Sequence, residues 1–238
     1  MDADHLSKRL TKVAEYVPRG ARMADIGSDH AYLPAHLAKA GLIQFAVAGE
    51  VVKGPFENAR SEVQSQGLTD QIEARLGDGL SVINPTDNLD AIVIAGMGGT
   101  LISDILTRGW QQLTGKERLV LQPNVGEYHL RQWLVEHQYE LVTEAIMKDD
   151  GHIYEVLVAE KAAAPVMLTE LDARFGPFLR QAPNAAFIEK WQHEQQRTER
   201  VLASVSQAAV VPAEKQRALQ HELDLIKEVL SDASTNLN

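Results

Sequence analysis

Short apolar runs alternate with amphipathic helical patterns between residues 22 and 160, and this alternation limits the folds open to the chain more than any other feature. The runs read RMADIG, FAVAGEV, IEARLGDG, DAIVIAG and RLVLQP, and helical patterns follow most of them. Such alternation is typical of a parallel sheet with helices on both faces. We therefore predict an α/β fold.

Two further runs, YELVTEAIM and HIYEVLVAE, are joined only by residues 148–151. This connection is too short for a crossover helix, so the two runs should pair as an antiparallel hairpin. Six parallel strands that end in such a hairpin are more typical of a Rossmann-like class I methyltransferase sheet than of a dehydrogenase. We assign residues 1–160 to this mostly parallel domain.

The remaining residues, 161–238, are predicted to form a small helical domain after a linker at Lys161–Pro165. Apolar residues recur there at spacings of three and four, which predicts a helical hairpin of coiled-coil type. They are Ile188, Trp191, Thr198, Leu202 and Val205 in the first helix, and Leu219, Leu223, Ile226 and Leu230 in the second, which Pro212 should open. The hairpin could stabilise or dimerise the protein or grip a substrate, and the pattern leaves the oligomeric state open.

The composition limits the cellular compartment and the kinds of partner that we expect for the protein. The chain has no cysteine, which excludes disulfides and thiolate metal sites and suits the cytoplasm. No apolar run approaches the roughly 18 residues of a membrane span, so we expect no membrane association, and we expect no metal. The net charge of −10 argues against broad non-specific binding of nucleic acid but leaves room for a local basic face.

The first strand ends in Asp25-Ile26-Gly27, at the sheet edge where open α/β sheets bind their ligands. Gly27 permits a tight turn, and the next helix directs free N–H groups to this point. Asp25 would repel a pyrophosphate there, whereas S-adenosylmethionine carries an ammonium group and a sulfonium centre and has no phosphate. The alternative is that Asp25 only ties down the turn and that Ser28 or Asp29 only caps the helix.

The next strand ends add to this site. Glu50 follows the second strand, where an acid accepts hydrogen bonds from both ribose hydroxyls in nucleotide-binding sheets. Asp78 follows the third strand, where it could accept a hydrogen bond from the adenine amino group. The fourth strand ends in the sequence AGMGG at residues 95–99, which would lie beside the transferable methyl group or would simply start a helix.

Several segments of the sequence together resemble the bacterial tRNA (adenine-22-N1)-methyltransferase family, TrmK, over about residues 5–160. They are DIGSDHAYLP, GEVVKGPFENA, LGDGL, IAGMGG, LTGKERLVLQPN and DGHIYEVLVAE. The resemblance implies a class I methyltransferase fold, S-adenosylmethionine as donor, and N1 of adenine 22 in tRNA as acceptor. With the strand-end pattern, we predict that the donor is bound by Asp25, Gly27, Ser28, His30, Glu50, Val51, Gly77, Asp78, Gly79, Ala95, Gly96 and Met97.

Two departures from related patterns affect the chemistry. Class I enzymes usually read acid-x-Gly-x-Gly-x-Gly after the first strand, whereas this chain has Asp29 and Ala31 in place of the later glycines. The loop after the fourth strand also lacks the Asn/Asp-Pro-Pro-Tyr/Phe tetrapeptide that is typical of enzymes methylating the adenine amino group. Methylation of N6 is therefore the less favoured reaction.

Adenine N1 carries an in-plane lone pair, so no strong general base is needed for its methylation. We predict that Asp29 stabilises the positive charge on the product ring or accepts a hydrogen bond from the amino group, and that Tyr32 stacks on the base. Tyr32 could instead be a core aromatic residue. His30 is an alternative base, although at a helix start it could simply bond to the backbone.

N1 lies on the Watson–Crick edge, so the target adenine must be unpaired or flipped out. Lys8, Arg9, Lys12 and Arg19 near the N-terminus are the best candidates for a basic face that binds tRNA, although they could equally be a solvated helix surface. We also place Asn124, after the fifth strand, among the substrate-binding residues. The alternatives are a methyltransferase acting on a small molecule or a protein, and a non-catalytic regulator that senses a nucleotide.

Overall fold

A seven-stranded sheet in the order β3-β2-β1-β4-β5-β7-β6 forms the centre of the protein. The computed structural model describes residues 2–206 and 213–236. The strands are β1 (Ala21–Ile26), β2 (Ile43–Glu50), β3 (Ile72–Leu76), β4 (Ala91–Met97), β5 (Arg118–Pro123), β6 (Tyr139–Asp149) and β7 (His152–Lys161). Strands β1 to β5 pair in parallel, and β7 pairs antiparallel to both β5 and β6. The predicted class I methyltransferase sheet with its hairpin is confirmed.

Helices cover both faces of the sheet, as the alternating pattern predicts. They are α1 (Lys8–Glu15), α2 (Tyr32–Lys39), α3 (Lys53–Ser65), α4 (Gly99–Arg108) and α5 (Glu127–Glu136). The apolar sides of α1, α2 and α3 share one buried cluster with residues such as Met23 and Val93. Those of α4 and α5 share a second cluster with Ala24 and Ile94, on the opposite face. Neighbouring strand residues thus point into different cores, as the two-residue period of a strand requires.

In the described part of the chain, four helices follow the sheet: α6 (Glu170–Phe175), α7 (Pro177–Gln181), α8 (Ala185–Ser206) and α9 (Ala213–Asn236). The two long helices form the expected hairpin, in which Trp191, Thr198, Leu223 and Ile226 are buried. The short α6 and α7 are not foreseen by the sequence pattern. Pro212, expected to open the second long helix, lies outside the described residues.

The C-terminal helices pack directly on the last two strands. Ile146 of β6 belongs to the same buried cluster as Phe175, Phe187 and Trp191. Beneath them, Arg131 of α5 is wholly buried and pairs with two carboxylates that are also fully buried, those of Glu144 and Glu155. Lys190 of α8 pairs with Glu155 and Glu127. The domain boundary at residue 160 stays a prediction.

The topology brings several chain segments to one edge of the sheet. The parallel strands β1 to β5 all end there, and because β6 runs in the same direction, the β6–β7 turn also lies at this edge. Helix α1 begins there too, since the backbone N–H of Arg9 donates a 2.9 Å hydrogen bond to Asp149 at the end of β6. Within the described ranges, no helix is long and apolar enough to span a membrane.

Candidate active site

A cavity of about 260 Å³ opens at the carboxyl ends of β1 and β4. Its lining residues are Arg9, Leu10, Asp25, Gly27, Ser28, Asp29, Tyr32, Leu33, Ala95, Gly96 and Met97. The structure therefore brings together half of the predicted donor-binding residues and both predicted catalytic residues. We call this space the first cavity.

A second cavity of about 120 Å³ adjoins it, between the ends of β2 and β3 and helix α4. It is lined by Ile26, Gly27, Gly49, Val51, Gly77, Asp78, Gly79, Met97, Leu101, Ile105 and Arg108. Gly27 and Met97 line both cavities. A Cβ atom on Gly27 would lie 2.2 Å from the Met97 methyl carbon, and Gly27 has a φ of +75°, so any other residue here would be strained and would displace the Met97 side chain.

Two buried acids lie at the ends of β1 and β2 without a cationic partner. Asp25 is 5% exposed, and its carboxylate accepts a 2.6 Å hydrogen bond from the Ser28 hydroxyl. Burial, opposed by this hydrogen bond, raises the pKa of Asp25 to about 6. Burial also raises the pKa of the Glu50 carboxylate, which accepts a hydrogen bond from the backbone N–H of Asp29. Among the described residues, no basic side chain pairs with either acid, so this edge of the cavity favours a cationic ligand.

The loop between β1 and α2 keeps a glycine-like backbone although Asp29 and Ala31 replace two of the usual glycines. Asp29 and Ala31 have φ angles of 55° and 56°, so they adopt the left-handed conformation that glycine would adopt without strain. Aspartate tolerates this region better than most residues, and Ala31 is held by its complete burial. The result is a carboxylate side chain, 69% exposed, where the usual pattern has none.

Three predicted donor-binding residues lie differently from the rest. His30 lines neither cavity, and its ring stacks on Tyr32 with the ring centroids 5.1 Å apart. Glu50 also lines neither cavity, and its carboxylate contacts the backbone N–H of Asp29. Asp78 lines the second cavity but is exposed and pairs with Arg108 at 3.3 Å. Their contacts with a donor stay predictions.

The expected basic face does not form as one surface. Arg9 lines the first cavity, where its guanidinium donates a hydrogen bond to Gln122. Lys12 pairs with Glu15 on its own helix. Lys8 is exposed at the site edge of the sheet, whereas Arg19 is exposed just before β1, at the opposite edge. Arg19 therefore does not share a surface with Lys8, and tRNA contacts by Lys8, Arg9, Lys12 and Arg19 stay predictions.

Asn124 holds the loop between β4 and α4, and its predicted contact with substrate stays a prediction. Its side-chain amide donates a 2.7 Å hydrogen bond to the Gly96 carbonyl oxygen. The buried Gln122 accepts a 3.0 Å hydrogen bond from the Gly96 N–H. Together the two amides fix the backbone of Gly96 beside the first cavity.

Sequence reasoning also missed residues that line the second cavity. Leu101 and Ile105 are spaced as core residues of α4, yet Leu101 is 46% exposed and both line the cavity. An apolar residue at the first turn after a strand-end glycine loop is the signal that could have identified Leu101. Within the described part of the chain, no cluster of three or more His, Asp or Glu residues could hold a metal ion.

Comparisons with known proteins find relatives of one kind. The sequence profile of the family described as TrmK, tRNA (adenine(22)-N(1))-methyltransferase, matches residues 23–228. The chain is 48% identical to the tRNA (adenine(22)-N(1))-methyltransferase of Bacillus subtilis strain 168 over 94% of this chain and 97% of the relative.

Two solved structures extend the likeness to nearly the whole fold. The structure of the Bacillus subtilis tRNA methyltransferase TrmK is 46% identical, with a TM-score of 0.90 over 95% of this chain and 99% of the other. A Streptococcus pneumoniae protein in complex with S-adenosyl-L-methionine is 43% identical, with a TM-score of 0.87 over 95% of this chain and 100% of the other. The family expected from the sequence is confirmed: the chain belongs to the tRNA (adenine(22)-N(1))-methyltransferase family.

Proposed function

We propose that the protein transfers a methyl group from S-adenosylmethionine to N1 of adenine 22 in tRNA. The observation that carries this proposal is the buried carboxylate of Asp25, which lines the first cavity and has no cationic partner in the described residues. A buried charge of this kind is costly unless a ligand compensates it. Family membership supports the acceptor.

The residues present fit the donor. Asp25 and Ser28 suit the ammonium group of its methionine part, and Glu50 suits the ribose hydroxyls. The second cavity, with Val51 and Leu101 beside the Gly77–Gly79 turn, suits the flat adenine ring. When bound, S-adenosylmethionine supplies an electrophilic methyl group. A solved relative that is 43% identical is in complex with this molecule, which supports the choice of donor.

The residues at the mouth of the first cavity suit a ring nitrogen as acceptor. Asp29 presents an exposed carboxylate that stabilises positive charge as it develops on the adenine ring. Tyr32, stacked on His30, offers an aromatic face to the flipped-out base. Gln122 and Asn124 hold the Gly96 backbone at this side of the site. No residue has to remove a proton before N1 attacks, so positioning supplies most of the catalysis.

The acidic surface indicates that tRNA is recognised at a few points and not by overall attraction. The exposed Lys8 at the site edge is one such point. A tRNA substrate and the absence of cysteine fit the cytoplasm, which we propose as the location.

Nucleoside analysis of a tRNA transcript tests the proposed function. The purified protein is incubated with S-adenosylmethionine and a transcript that has adenine 22, and a transcript with guanine 22 serves as the control. We expect 1-methyladenosine only in the first transcript, and none when Asp25→Asn replaces the wild type. N6-methyladenosine, or equal methylation of both transcripts, would refute the assignment. No methylation of any tRNA would favour a small-molecule or protein substrate.

A further inference from the structure

Lys190 of α8 ties the C-terminal helices to the first residue of α5. Its Nζ atom lies 2.6 Å from the Glu127 carboxylate and 2.7 Å from the Glu155 carboxylate. The side chains of Lys190 and Glu127 are only 21% and 17% exposed, so water screens this pair less than it screens a surface pair. In the described part of the chain, no other basic side chain pairs with Glu127. Lys190 is therefore the group that holds this carboxylate in place.

The turn before Glu127 touches the backbone beside the candidate active site. Gly126 has a φ of 83°, and a Cβ atom added to Gly99 would lie 2.3 Å from the Gly126 carbonyl oxygen. The Gly99 N–H also donates a 2.7 Å hydrogen bond to the carbonyl oxygen of Val125. The two backbones are thus in direct contact. Because no side chain lies between them to absorb a movement, a shift of this turn is passed on to Gly99.

Gly99 begins α4 two residues after Met97, which lines both cavities. The carbonyl oxygen of Met97 accepts a 2.7 Å hydrogen bond from the backbone N–H of Asn124. The turn at residues 124–126 therefore holds both ends of residues 97–99, the part of the site expected beside the transferable methyl group. We propose that Lys190 is a positioning residue for methyl transfer, because by binding Glu127 it fixes this turn and, through the turn, residues 97–99. This inference rests on the proposed function.

Two other roles for Lys190 are less favoured by its contacts. The helices need not depend on it for attachment, because Phe187 and Trp191 pack in the buried cluster with Ile146. The neighbouring Glu189 also pairs with Lys148 of β6, a contact that does not involve α5. A tRNA phosphate is the other possible partner. Lys190 is about four-fifths buried and already has two carboxylate partners, so it is poorly placed for a phosphate.

The test compares Lys190→Met, Lys190→Arg, Glu127→Gln and the double variant of Lys190→Met with Glu127→Gln. Glu189→Gln is the matched control, because it also removes a carboxylate that pairs with a lysine where α8 meets the sheet domain but leaves α5 untouched. The first measurement is hydrogen exchange of the Gly99 N–H by NMR, without donor or tRNA. The second is the single-turnover rate of methylation at saturating donor and tRNA. Both are made below the temperature at which any variant begins to unfold.

We expect Lys190→Met and Glu127→Gln each to speed exchange at Gly99 by at least about fivefold, because the turn that accepts its hydrogen bond is released. The methylation rate should fall about 10-fold to 100-fold, the effect of misplacing reacting groups by a fraction of a bond length to 1 Å. The double variant should be no slower than the slower single variant, since both remove one contact. Lys190→Arg keeps the ion pair and should retain at least about half of the rate. Glu189→Gln should match the wild type in both measurements.

Unchanged exchange at Gly99 in Lys190→Met would overturn the proposal. An equal loss of rate in Glu189→Gln would also overturn it and would leave attachment of the helices as the role of these pairs. So would a loss of rate that disappears at higher tRNA concentration, which would assign Lys190 to a phosphate, or additive losses in the double variant. A wild type that methylates no tRNA would refute the proposed function, whereas the exchange measurement needs no activity. The two failures are therefore distinguishable.

Discussion

The carboxylate of Glu50 accepts a hydrogen bond from the backbone N–H of Asp29, which joins the end of β2 to the loop after β1. Asp29 has a left-handed φ of 55°, so this bond holds a backbone conformation that most residues avoid. Glu50 therefore has two tasks in the proposed mechanism. It binds the donor ribose, and it keeps the Asp29 side chain at the mouth of the first cavity.

Substitution at Glu50 separates these tasks. Glu50→Gln keeps an oxygen that can accept from Asp29, whereas Glu50→Ala removes both the acceptor and the ribose contact. We expect Glu50→Ala to weaken donor binding by about 1.5–3 kcal/mol and Glu50→Gln to weaken it less, with calorimetry as the measurement. Turnover at saturating donor should fall only in Glu50→Ala, because only there does the Asp29 loop relax. Equal turnover in the two variants would contradict the second task.

Asp25 makes donor binding depend on pH. Its pKa in the free protein is about 6, so the carboxylate is charged above pH 6 and protonated below it. We expect donor affinity to fall as the pH drops from 7 to 5, because a neutral acid no longer attracts the ammonium group. In Asp25→Asn the affinity should be low and nearly independent of pH over this range. A wild-type profile as flat as that of the variant would contradict this role.

The Asp25→Asn variant should be more stable than the wild type. A carboxyl group with a raised folded-state pKa binds protons more tightly in the folded protein, so stability is lost as the pH rises from about 4 to about 6. Asp25→Asn removes this loss and should raise the free energy of unfolding by up to about 3 kcal/mol at pH 8, but not at pH 3.5. Urea unfolding at the two pH values measures the difference. The exposed Asp104→Asn on α4 is the control and should change neither value.

The positions of the three acids were predictable because each lies at or near the carboxyl end of a strand. Asp25, Glu50 and Asp78 are all placed by one rule, that parallel strands end at one edge of a sheet. Arg9 was not predictable as a cavity residue, since its partners Gln122 and Tyr154 come from β5 and β7. An amphipathic pattern shows which residues of a helix are polar, and it does not show which distant strand lies opposite them.

The two short helices were missed for a different reason. Helices α6 and α7 have six and five residues, too few to show a 3.6-residue period. They form because Thr169 caps the first, Pro177 begins the second, and Phe175 and Leu179 are buried against the long helices. Their stability comes from tertiary packing, which a local pattern does not contain.

Arg131 should contribute strongly to stability. It is wholly buried between Glu144 and Glu155, and its guanidinium also faces the carbonyl groups that end α6. Arg131→Met leaves two buried carboxylates without this partner, so we expect a loss of about 3–5 kcal/mol in the free energy of unfolding. Arg60→Met, which removes an exposed pair with Glu57 on α3, should cost no more than about 0.5 kcal/mol. Similar losses in the two variants by urea unfolding would contradict this account.

Asp29 should act on the rate and not on donor binding. Asparagine tolerates the left-handed conformation as aspartate does, so Asp29→Asn removes the charge and keeps the loop. We expect the single-turnover rate at saturating donor to fall about 10-fold to 100-fold, with the donor Kd nearly unchanged. Ala31→Gly is the control for a change in the loop backbone, because Ala31 adopts the same left-handed conformation and carries no carboxylate, and this variant should keep the rate. An unchanged rate in Asp29→Asn would exclude stabilisation of the ring charge by this residue.

Tyr32 is expected to act through its ring. The ring stacks on His30 at an interplanar angle of 11°, and its hydroxyl makes no hydrogen bond to any residue that the structure describes. Tyr32→Phe keeps the aromatic face, so it should retain at least about half of the methylation rate on tRNA. Tyr32→Ala removes the face and should cost about 10-fold to 100-fold, in line with the 1–3 kcal/mol of base stacking on an aromatic side chain. Donor binding measured by calorimetry should be close to wild type in both variants, which separates a contact with the base from a contact with the donor. If Phe and Ala were equally damaging, the hydroxyl and not the ring would be the group that the reaction requires.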